Sequence, residues 1–86
     1  MPQIESRLID LLSELKGSLR DEDWREAMEE TRAGEAGVAF DVICQQLFEY
    51  DIRIPRRVFL TLEELGREMK REDRAWTVLL PLVDDA

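Results

Sequence analysis

The sequence predicts an all-α protein, a compact bundle of four to five helices in one domain over residues 1–86, and three observations carry that prediction. Apolar residues recur at three- and four-residue intervals through successive segments, the spacing that lines one face of a helix. No segment joins β-branched enrichment to sustained alternation, so strand signals are missing. Glycines, prolines and charged clusters fall between the periodic segments, where turns belong. Eighty-six residues, 44% of them hydrophobic, fill one small core and leave little surface for a deep catalytic cleft.

The first helix is predicted over Pro2–Lys16. Proline suits a first turn, and Ile4, Leu8, Leu11, Leu12 and Leu15 follow at helical spacing until Gly17. Leu19 is expected to fold back onto the core. Asp21 is the expected N-cap of a second helix over Glu22–Ala33, with Glu22 and Asp23 complementing the dipole of its first turn. Trp24, Ala27, Met28 and Thr31 form its inner side, and Gly34 stops it. The central stretch, Glu35 to Pro55, is the richest in apolar and aromatic residues and is predicted as one helix ending at Asp51. At 100° per residue Ala39, Tyr50, Ile43, Leu47, Phe40, Cys44 and Phe48 cover about half its circumference, so neighbours are expected on two sides. The remaining arc holds Asp41, Gln45 and Glu49 at i, i+4 and i+8, with Val38, Val42 and Gln46 beside them.

Ile54 precedes Pro55, which disfavours helix and implies an extended link. Pro55 then opens a fourth helix, whose buried stripe is Val58, Phe59, Leu62, Leu65 and Met69, with Leu60 outside it. Gly66 lies within the stripe and marks an expected close crossing. Lys70–Asp73 is a predicted turn, Trp76, Leu79, Leu80 and Val83 suggest a last short helix, Pro81 should end or kink it, and Asp84 to Ala86 look frayed.

The net charge of −8 is unevenly placed. Residues 21–51 hold ten acids against Arg25 and Arg32, while residues 1–20 are balanced and residues 52–83 hold seven bases against five acids. Nucleic acid and acidic lipid would be repelled by that surface, and a basic protein would be steered to it. The candidate partner-binding residues are Glu26, Glu29 and Glu30 on the second helix with Val38, Asp41, Val42, Gln45, Glu49 and Asp51 on and after the central one. The plain alternative is a solvated surface that keeps the chain from aggregating.

Other chemistry finds little footing. There is no histidine, and the lone Cys44 has neither a disulfide partner nor an imidazole to activate it. Zinc and Glu-x-x-His metal sites lack their ligands, the GEAG turn is no phosphate loop, and no cofactor is expected. No apolar run approaches a membrane span and the first ten residues lack a signal peptide, so the expectation is a soluble, cytoplasmic, non-enzymatic binding protein.

The block Gly34–Pro55, GEAGVAFDVICQQLFEYDIRIP, resembles the immunity proteins of the Maf (multiple adhesin family) type, associated with bacterial polymorphic toxin systems. The matching residues are Gly34, Glu35, Gly37, Ala39, Cys44, Gln46, Leu47, Phe48, Glu49, Tyr50, Asp51, Ile52 and Ile54. Phe48 stands where the family usually has tyrosine, so any contact through that hydroxyl is lost. The resemblance implies a small cytoplasmic protein that binds a cognate toxin domain tightly and blocks it. Many such toxins attack nucleic acids through basic clefts that an acidic surface would fit. Leu47, Phe48 and Tyr50 are then core candidates, with specificity in the acids around them. A helical adaptor for another basic protein is the rival reading.

Overall fold

A computed structural model describes residues 2–84, which form α1 (Pro2–Leu15), α2 (Asp21–Arg32), α3 (Ala36–Glu49), β1 (Ile54–Pro55), α4 (Arg56–Glu68), α5 (Arg74–Thr77), a 3-10 turn at Leu80–Leu82 and β2 (Val83–Asp84). The protein is an all-α bundle as predicted; among the described residues its β content is a two-residue parallel pairing of Ile54 with Val83 and Pro55 with Asp84, and an isolated bridge between Lys16 and Leu19.

The apolar spacing of α1 buries Leu8, Leu11, Leu12 and Leu15, and Leu19 returns to the same core after Gly17 turns the chain at φ +92°. Each fully buried leucine contributes about 1.5–3 kcal/mol of transfer free energy. The cap of α2 differs from expectation: Asp21 is already helical, and the N-cap is the extended Arg20, whose carbonyl accepts the Trp24 N–H at 2.9 Å. Asp21, Glu22 and Asp23 therefore serve the helix dipole and supply no side-chain cap. Trp24 ties α2 to α1 by donating its indole N–H to the Leu12 carbonyl at 2.6 Å, beneath the Lys16 ammonium 4.8 Å from its ring centroid. Thr31 is fully buried and satisfied, its hydroxyl donating to the Ala27 carbonyl.

The α2–α3 pair is an antiparallel hairpin. Residues 33–35 join two of its ends, and at the other end Arg20, before α2, meets Tyr50, after α3. Ala39, Phe40, Ile43, Cys44 and Leu47 of α3 are buried, but Phe48 and Tyr50, which periodicity placed on the same arc, are 53% and 44% exposed. The buried arc is thus narrower than expected. Phe48 falls at its edge, and Tyr50 has left the helix at its C-cap, where helical spacing no longer places its side chain.

The link after α3 is extended as predicted, and Pro55 caps α4. Val58, Phe59, Leu62, Leu65 and Gly66 face the core, Met69 is half-buried against it, and Leu60 is exposed. Gly66 does mark a close approach: a Cβ there would overlap the Trp76 ring and stand 3.0 Å from the Phe40 ring. Trp76 is buried edge-to-face against Phe40, with centroids 6.3 Å apart. The expected last short helix is α5, which holds Trp76 but stops at Thr77, before Leu79, Leu80 and Val83; Pro81, which cannot donate the hydrogen bond that would continue a helix, lies in the 3-10 turn that follows. Asp84 is paired in β2 and not frayed, while the rest of the expected frayed end lies outside the described residues. No helix among the described residues is long and apolar enough to cross a membrane.

Candidate functional site

The predicted acidic row is divided by the fold. Gly37 and Asp41 sit on the flank of α3 that faces Arg71, just beyond α4: the Asp41 carboxylate accepts from Arg71 Nη2, and from Nε at 3.3 Å, while the guanidinium lies 2.9 Å from where a Gly37 Cβ would be. Half-buried and paired, Asp41 ties α3 to the chain after α4, so of the expected docking row it is the carboxylate that already has an internal counter-ion. Val42, expected among the exposed valines, is half-buried and packs on the core. At 100° per residue Val42 and Gln46 take the flank opposite Asp41, the side left for α2.

The rest of the predicted set is at the surface. Val38, Gln45 and Glu49 are exposed along the outer crest of α3, and Asp51 follows in the left-handed region at φ +51°. Glu26 and Glu29 are exposed on α2, and Glu30 is half-buried. Of the ten acids in residues 21–51, Glu22 and Asp41 meet bases, Arg20 and Arg71. Asp21, Asp23, Glu26, Glu29, Glu30, Glu35, Glu49 and Asp51 have no ion-pair partner among the described residues. The hairpin therefore presents an unneutralised negative surface, with Asp41 outside it.

Two aromatic residues that periodicity placed on the buried arc, Tyr50 and Phe48, stand at the surface beside these acids. The Tyr50 hydroxyl accepts from Arg20, whose guanidinium stacks 5.0 Å from the Tyr50 ring centroid and also grips Glu22. Glu22, and then Tyr50, push the Arg20 pKa up. Phe48 borders a shallow hollow of about 360 Å³ lined also by Asp41, Cys44, Gln45, Ala75 and Val78. A second hollow, about 490 Å³, continues along the same flank past Asp41, Lys70, Arg71, Glu72 and Ala75. The only advance signal for Phe48 was its position at the edge of the apolar arc.

Cys44 is the one thiol of the chain, and it is buried. Burial, and then the charge of Asp41, push the Cys44 thiol up to about 12, far from a nucleophilic thiolate at neutral pH. Among the described residues no group of three or more histidine, cysteine or acidic side chains is arranged to hold a metal ion. What the arrangement does offer is recognition: carboxylates lacking internal counter-ions, with apolar groups between them. Comparison with protein-family models, with curated proteins and with solved structures finds no significant match.

Proposed function

We propose that this chain is an immunity protein that binds and neutralises a cognate polymorphic toxin domain, with a basic, nuclease-like toxin as the partner class and the cytoplasm of the producing cell as the setting. The observation that carries this reading is the run of unpaired carboxylates along α2 and α3, against a charge-balanced remainder. The immunity-protein resemblance of residues 34–55 supports it. Unpaired carboxylates steer a basic partner and raise the rate of encounter, and those desolvated against its cations add to affinity.

A toxin domain is expected in the gene beside this one, and its absence would count heavily against the proposal; co-expression with that domain is the direct test. The toxin domain alone should kill, and the pair should be tolerated. Reversing Glu26, Glu29 and Glu30 together to lysine should slow association about tenfold at low salt and weaken protection. If the folded triple variant associates and protects as well as the unaltered chain, the acidic face is not the docking surface.

A further inference from the structure

Resting on that reading, we infer that the docking surface is centred on Phe48, where the hollow between α3 and α5 receives an apolar side chain projecting from a basic protein domain. A single exposed apolar residue is ordinary on a protein surface. Phe48 differs from the other exposed large apolar residues in what surrounds it. Phe48 is 53% exposed at the rim of a hollow whose other walls are Asp41, Cys44 and Gln45 of α3, Ala75 of α5 and the half-buried Val78, a largely apolar cup open to solvent with the paired Asp41 at one side. Leu60 and Leu80 are about as exposed and line neither this hollow, nor the one beside Arg71, nor the one between α1 and α4.

Charge selects the occupant. Glu49 and Asp51 flank Phe48 in the chain, and both are exposed and unpaired among the described residues. On the hollow's other side Arg71 is taken up by Asp41, Lys70 lies in the neighbouring hollow with Glu72, and Arg74 precedes Ala75 on α5, so the negative charge is confined to the Phe48 end. An anionic segment would meet uncompensated carboxylates at the Phe48 end, whereas a segment bearing lysine or arginine around an apolar residue would satisfy both features. An apolar anchor in a pocket with charges at its rim is the usual anatomy of a tight interface. The hollow at about 230 Å³ between α1 and α4 lacks it, since its Arg7 and Glu14 are already held in ion pairs with α4.

The test measures binding of the neighbouring gene's toxin domain to the full chain. Phe48→Ala should weaken binding about 30-fold, or roughly 2 kcal/mol at 1.4 kcal/mol per tenfold, mostly through faster dissociation. Ala75→Arg, which fills the hollow from the opposite wall, should weaken it in the same sense, and thermal unfolding checks that each variant is folded. Should Ala75→Arg fail to fold, Phe48→Ala alone decides, since its ring is at the surface. Binding by Phe48→Ala within twofold of the unaltered chain overturns this inference while leaving the acidic-face reading standing. No binding by the unaltered chain overturns both. A dimer in sedimentation that Phe48→Ala dissociates assigns the hollow to a second copy of this chain and overturns the inference as well.

Discussion

Between α1 and α4, Arg7 reaches Glu64 and Glu68, Arg57 reaches Glu14, and within α4 Arg67 reaches Glu63, whereas along α2 and α3 eight carboxylates stand without a base among the described residues. The two regions share one core and dispose of charge in opposite ways. Exposed pairs of the first kind contribute about 0–1 kcal/mol each and lose that with salt. The unpaired acids of the second repel one another, so the hairpin depends on the apolar side: Ala27, Met28 and Thr31 of α2 against the buried arc of α3.

The largest expected effect probes the shared core. Gly66→Ala drives a methyl into the Trp76 ring and crowds Phe40, and should cost about 2–3 kcal/mol in denaturant unfolding. Loss of less than about 0.5 kcal/mol would mean that the C-terminal segment yields easily. Charge reversal tests the comparison directly. Arg7→Glu should destabilise by about 1 kcal/mol at low salt and less at high salt, while Glu26→Lys, Glu29→Lys and Glu30→Lys together should leave stability unchanged or raise it by a few tenths. Equal destabilisation by both would erase the distinction between the faces. The smallest effect separates stability from recognition: Asp51 occupies a left-handed position that glycine adopts more readily, so Asp51→Gly should stabilise by about 0.5 kcal/mol. It should at the same time slow association with a basic partner, because an exposed carboxylate is lost.

Much of the fold was legible because helices announce themselves locally. The stripe Leu8–Leu11–Leu12–Leu15, the stops at Gly17 and Gly34 and the buried face of α4 all follow from spacing within one segment. Gly66 was legible as a close crossing, though not that Trp76 would fill it. Of the site, the exposed acids Glu26, Glu29, Glu49 and Asp51 were readable, since short carboxylates off an apolar stripe have nowhere to go but water. Asp41 was not, because its partner Arg71 is distant in sequence and no periodicity connects them.

The sequence by itself determined that helices form, where most of them begin and end, and that negative charge gathers on α2 and α3, because propensity, capping and charge placement are properties of neighbouring residues. Only the tertiary structure decided which edge residues of the central helix are covered. It buried Phe40 against Trp76, left Phe48 at a hollow beside α5 and Tyr50 stacked under Arg20, and drew Asp41 into an ion pair. The physical reason is that a helical wheel fixes the direction in which a side chain points, while burial depends on which distant segment arrives to cover it.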